Sequence, residues 1–108
     1  MIFISEFRFL AKKRPYQRLL VGDSVTINCK TNDQKALPSS LWVRKDTNPA
    51  QKILPNGGTI TRRGNRFYVR NLTLDNAGLY KCEATLAILN KTIEKEVTSL
   101  LVFTGNWL

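Results

Sequence analysis

The sequence predicts an all-β fold, a sandwich of two antiparallel sheets closed over one core. Three observations predict it. Residues 24–29 alternate, with Val25, Ile27 and Cys29 on one side and Ser24, Thr26 and Asn28 on the other, which is the period of a half-buried strand. Asn76-Ala77-Gly78-Leu79-Tyr80-Lys81-Cys82 combines a tight-turn glycine with a tyrosine two places before a cysteine, and then alternates again through Leu86. Turn residues punctuate such runs at Gly22-Asp23, Asn48-Pro49, Pro55-Asn56-Gly57-Gly58 and Arg63-Gly64-Asn65.

The elements follow in order. Residues 2–10 bring Phe3, Phe7 and Phe9 among polar partners, the pattern of an edge strand. Lys12-Lys13-Arg14 leads to Pro15, which removes a ladder donor and suits a switch between sheets. Leu19-Leu20-Val21 forms the second half of that strand, and residues 24–29 form the next. Leu41-Trp42-Val43-Arg44-Lys45 is a further strand. Thr59-Ile60-Thr61 and Phe67-Tyr68-Val69 pair across the turn at residues 63–65, and Leu72 steps toward the corner at 76–82. Residues 92–103 close the fold after a turn near Leu89-Asn90-Lys91, with Ala84, Leu86 and Ile88 expected to point inward on the preceding strand.

At 108 residues the chain is long enough for one domain with a modest core. Residues 1–104 are expected to form it, with 105–108, Trp107 included, as a linker or tail. Two widely separated cysteines suit one disulfide closing a large loop, worth about 4 kcal/mol on a chain-entropy estimate and implying an oxidising compartment. There is no apolar run of the length, about 18 residues, that spans a bilayer, so direct membrane insertion of this segment is not expected. Met1-Ile2-Phe3-Ile4 is interrupted by Glu6 and Arg8, which is too short for a signal-peptide core. The chain therefore reads as a piece of a longer protein.

First cysteine Cys29, then Trp42 in a hydrophobic-Trp-x-basic strand, then Tyr80 before Cys82 at a glycine corner: in this order and spacing the chain resembles an immunoglobulin superfamily domain. The cysteine separation is most similar to the intermediate, I-type set, and the interval before Thr59 is too short for the extra strand pair of a variable-type domain. The resemblance covers nearly the whole chain and implies an immunoglobulin-like β-sandwich with an inter-sheet Cys29–Cys82 disulfide. It implies that Trp42 packs on that disulfide, and that the Tyr80 hydroxyl reaches a backbone group upstream. One departure stands out. Asn76 replaces the family's usual aspartate, so an ion pair to an arginine on the preceding strand becomes at most a hydrogen bond.

Enzymatic chemistry finds no footing here. The chain has no histidine, which removes Ser-His and Cys-His nucleophile pairs and His-containing zinc sites. Eight scattered carboxylates leave Glu94 and Glu96 as the close pair, on a strand face where solvation is the plain reading. Gly57-Gly58 and Gly64 lack the Lys-Ser/Thr and helix of a phosphate loop. No catalytic residue, metal or cofactor is expected, and the chain reads as a binding module.

Three signals remain. Asn71-Leu72-Thr73 and Asn90-Lys91-Thr92 are sequons, each either a glycosylation acceptor on the secretory route or a turn-loving asparagine. The charge is +9, with 17 Lys and Arg against 8 Asp and Glu. Its cations cluster in two acid-free runs, Arg8, Lys12, Lys13, Arg14 and Arg18, and Arg62, Arg63, Arg66 and Arg70. In an immunoglobulin sandwich the first strand shares a sheet with those of the second run, so the runs are expected to merge near Lys30 into one positive face. That face is either simply solvated or a site for a sulfated glycosaminoglycan. Nucleic acid is not expected, for want of a row of stacking aromatics. The third signal is apolar: Leu41, Val43, Ala87, Leu89 and Ile93 are expected outward on one sheet, either as an interface with a copy or another protein or as a long hairpin packed on itself or covered by a neighbouring domain.

The function this implies is an extracellular domain of a cell-surface receptor or adhesion protein that recognises other proteins. Two alternatives stand beside it. One is an intracellular structural repeat like those of giant muscle proteins, where mechanical strength is the function. The other is the ligand-binding ectodomain of a receptor tyrosine kinase.

Overall fold

A computed structural model describes residues 6–105. Among these residues eight strands form two sheets: β1 (Arg14–Leu20), β2 (Val25–Asn28), β3 (Ser40–Arg44), β4 (Gln51–Lys52), β5 (Ile60–Arg63), β6 (Arg66–Val69), β7 (Gly78–Leu86) and β8 (Lys91–Phe103). The order in the larger sheet is β1-β8-β7-β3-β4, and in the smaller β2-β6-β5. All neighbours are antiparallel except β1, which runs parallel to β8. The interval before β5 holds the single two-residue strand β4.

The expected first strand divides in two. Its residues 2–5, Phe3 included, lie outside the described residues, as do 106–108 of the expected tail. Phe7 and Phe9 are buried, but the segment joins the smaller sheet through one bridge, Phe9 to Thr31, with Leu10 N–H donating to the Lys30 carbonyl and Asn32 N–H to that of Arg8. The chain then crosses over, and β1 lines up on the other sheet. Pro15 sits inside β1 where its register slips between Arg14 and Gln17. An edge strand tolerates the missing donor there.

Between the sheets lie Val25, Ile27, Leu41, Val43, Phe67, Val69, Leu72, Tyr80, Leu86 and Leu100, with Cys29 and Cys82 at the centre. The two sulfurs are bonded, with Cα atoms 5.5 Å apart, and join β2's sheet to β7's. The corner is built as its residues imply. A Cβ on Gly78 would come within 2.8 Å of Val43 Cγ2 and 3.0 Å of the Arg44 carbonyl oxygen, so only glycine fits. Tyr80 is buried, and its hydroxyl donates to the Asn76 carbonyl oxygen at 2.7 Å. Burial first, and the Asp75 charge second, push its pKa up to about 12. The Asn76 side chain turns to its own loop, where Oδ1 accepts from the Thr73 N–H at 2.8 Å and hydroxyl at 3.2 Å.

Trp42 requires a correction. It does not pack on the disulfide. Leu41 stands opposite Cys82 across β3 and β7 and is 0% exposed, so period two turns Trp42 to the outer face. The slipped register would bury Ser40 and Arg44 and expel Leu41 and Val43, so two apolar residues outweigh one. Trp42 instead lies half-buried on the outside beneath the Lys81 ammonium, 6.0 Å from the ring centroid. Among the described residues its indole N–H is buried without an acceptor.

Candidate functional site

The strands give the molecule two outer faces of different chemistry. On the smaller sheet Thr26, Tyr68 and Thr61 stand in one cross-strand row, and Asn28, Arg66 and Arg63 in the next. These alternate with the inward Ile27, Phe67 and Val69 and therefore face solvent. Lys30 and Arg8 continue that face beyond Asn28, because Arg8 and Leu10 flank the bridging, buried Phe9. Arg70 lies past the far end of β6, and all five cations are exposed. Among the described residues none of the five forms an ion pair.

The other expected cations go elsewhere. Arg62 pairs with Phe67 and so belongs to the inner side at the sheet edge, its guanidinium 5.5 Å from that ring's centroid and its Nε donating to the Gly64 carbonyl. Lys12 and Arg14 line the cleft where the chain crosses between sheets. Lys13 pairs with Glu96 at 3.6 Å, and Arg18 stands beside Leu101 on the larger sheet. The two runs thus merge only in part, because β1 hydrogen-bonds to β8 instead of β2.

Lys30, Arg63 and Arg66 converge on a groove completed by Gly64, Asn65 and Tyr68. The turn beneath it is pinned. Cys29 N–H donates to the Asn65 carbonyl at 2.8 Å, and Asn65 Oδ1 accepts from the buried Ser39 N–H at 3.0 Å. The disulfide cysteine thereby fixes the floor of the basic groove.

The outer face of the larger sheet is mixed. Lys81 meets Glu96 across β7 and β8, and Glu83 meets Glu94. Lys81 relieves that like-charge pair by bridging to Glu94 at 3.3 Å. Three of the expected interface residues, Leu41, Val43 and Ile93, prove inward instead of outward. Leu41 and Val43 are core residues for the register reason given above. Ile93 stands opposite the buried Ala84 and packs partly against the core. Ala87 and Leu89 are exposed in a 3-10 turn, Ala87–Leu89, at the hairpin tip. Ile88, expected inward, is 78% exposed and Leu89 65%, because strand alternation stops at Leu86. Tyr16, Leu20 and Phe103 are further exposed apolar residues, on the β1–β8 edge.

Asn71 and Asn90 are both exposed with left-handed backbones, φ 50° and 49°. In the first sequon Leu72 is fully buried, whereas residues 90–92 of the second are exposed throughout. No group of three metal-ligating side chains gathers among the described residues, and no helix is long and apolar enough to cross a membrane.

The sequence matches the family described as Immunoglobulin domain over residues 15–95. The chain belongs to that family. The immunoglobulin domain is 33% identical over 81 residues to MAM domain-containing glycosylphosphatidylinositol anchor protein 2 of Rattus norvegicus, covering 75% of this chain and 8% of that protein. It therefore spans a small fraction of the relative's length. Among solved structures it resembles Dscam, with a TM-score of 0.76 at 15% identity over 91% of this chain and 24% of that one. An I-band fragment of titin superposes with a TM-score of 0.68 at 19% identity, over 89% of this chain and 32% of that fragment. At such identities the likeness is one of fold. Immunoglobulin domains are typically binding domains without catalysis.

Proposed function

We propose that this immunoglobulin domain is an extracellular recognition module of a cell-surface receptor or adhesion protein. Its mixed face and Ala87–Leu89 tip meet a protein partner, a second copy included, and its basic face takes a sulfated glycosaminoglycan. The observation that carries this reading is the segregation of charge between the two faces. A face bearing Arg8, Lys30, Arg63, Arg66 and Arg70 repels its own kind and attracts polyanions. A face pairing Lys81 with Glu94 and Lys13 with Glu96 can complement itself or another mixed surface. The disulfide and the exposed asparagines of two sequons fit the secretory route, and the curated relative is named for a glycosylphosphatidylinositol anchor, an attachment found on membrane surfaces.

Secretion from eukaryotic cells followed by intact-mass measurement tests the location. A glycan-bearing species with no free thiol is expected; two free thiols and no sugar would move the domain to the structural-repeat reading. Sedimentation at rising concentration tests the pairing. Association that Ile88→Asp and Leu89→Asp weaken is expected, whereas a strict monomer indifferent to both removes self-recognition through the tip.

A further inference from the structure

We propose that one sulfated polysaccharide chain crosses strands β2, β6 and β5, instead of running along them, seated between Lys30 and the Arg63–Arg66 pair and continuing toward Arg8. This rests on the polyanion reading of the basic face and locates the ligand on it.

The direction follows from where the cations stand. Arg63 and Arg66 are directly opposed across β5 and β6, and Arg66 is directly opposed to Asn28, two residues before Lys30. Adjacent strands lie about 4.8 Å apart, so the track from Lys30 to Arg63 spans only about 10 Å of sheet. Along β6, by contrast, Tyr68 follows Arg66, and Arg70 comes about 13 Å away at the usual rise per residue. Arg70 does not line the groove. The cations are continuous across the sheet and interrupted along it.

Three features favour this ligand. Like charges directly opposed across a strand pair are unfavourable, and no carboxylate lines the groove to offset Arg63 and Arg66. A sulfate accepting from both guanidinium forks removes that repulsion with paired, charge-assisted hydrogen bonds. The turn carrying Arg63 is held by Asn65 against Cys29 and Ser39, so the backbone that carries the donors is fixed before a ligand arrives, which reduces the entropy lost on binding. The concavity also chooses among anions. A narrow polysaccharide chain can lie in the groove along its line of cations, and Tyr68 alone gives nucleic-acid bases no row to stack on.

Heparin chromatography and titration with heparin oligosaccharides test the path on the full chain. Arg63→Ser/Arg66→Ser is expected to weaken binding about tenfold and to lower the slope of log affinity against log salt by about two. Arg63→Lys/Arg66→Lys keeps the charge without the fork and should fall between that variant and wild type. Arg70→Ser and Arg14→Ser/Arg18→Ser should each stay near wild type, and unchanged melting temperatures exclude misfolding as the cause of any loss. If Arg14→Ser/Arg18→Ser or Arg70→Ser removes the binding instead, the crossing track is wrong while the domain remains a polyanion binder. No retention of the wild-type chain overturns both readings. Binding to phosphatidylserine vesicles without heparin binding replaces the polysaccharide with a membrane.

Discussion

Gly78 and Tyr80 fix the same corner by opposite means, one by lacking a side chain and the other by burying a large one. Gly78→Ala drives a methyl into Val43 Cγ2 and the Arg44 carbonyl, and is expected to cost about 2 kcal/mol, read as a lower denaturant midpoint with an unchanged slope. Tyr80 gives a pH signature. Its folded pKa of about 12 exceeds the unfolded value of 10.0, so its contribution is complete below pH 10 and is lost as pH rises toward 12. The size is roughly 2–3 kcal/mol. Tyrosinate absorbance should show a late step near pH 12 that Tyr80→Phe removes.

Leu41 and Trp42 show where the expectation drawn from the family resemblance failed. A tryptophan near a cysteine pair draws the eye, yet a strand offers its two faces to alternate residues, and the inward face went to Leu41 and Val43. Leu41→Ala should cost about 2–5 kcal/mol. Trp42→Phe, which keeps most of the ring on a half-exposed face, should cost under about 1.5 kcal/mol. Equal losses in chemical denaturation would contradict this placement.

Elements were legible where one pattern ruled them. The alternation of β2, β6 and β7 reads directly from the residues, and so do the turns at Gly64 and Gly78. β8 was harder, because the register shifts between Tyr80 and Lys81, whose partners are Thr98 and Glu96. Val97 is the extra residue, so Ile93, Lys95 and Val97 lie on the inner side before the bulge and Thr98, Leu100 and Val102 after it. A bulge re-aims every later side chain, and no period-two reading carries through it. The switch between sheets at Pro15 was legible, but its consequence for Arg14 and Arg18 was not, because the partner that seats β1 lies some eighty residues away, as the Gln17–Thr98 hydrogen bond shows. At this scale Asn65 is the residue to change. Asn65→Ala orphans the buried Ser39 N–H, an expected loss of about 1–3 kcal/mol, and should weaken heparin binding although no cation is removed.

The whole molecule is two sheets joined by one covalent link. Replacing Cys29 and Cys82 by alanine should remove about 4 kcal/mol on the chain-entropy estimate, measured by equilibrium unfolding against the oxidised chain. The strands and the Tyr80 corner were legible in the sequence as local patterns, and the disulfide, which closes a 53-residue separation, through the order and spacing that carry the family resemblance. The basic face was legible only in part, since which cations share a surface depends on which strands pair.

The parallel seating of β1 on β8 has a mechanical consequence. Glu6 lies by Asn32, toward the hairpin end, where Leu37 bonds to Thr85; Gly105 lies by Leu20 at the other end. Tension applied between those two points would draw β1 and β8 in opposite directions along their length. Their hydrogen bonds would then share the load side by side instead of parting one after another, so the domain would resist a pull better than an unzipping hairpin of equal stability.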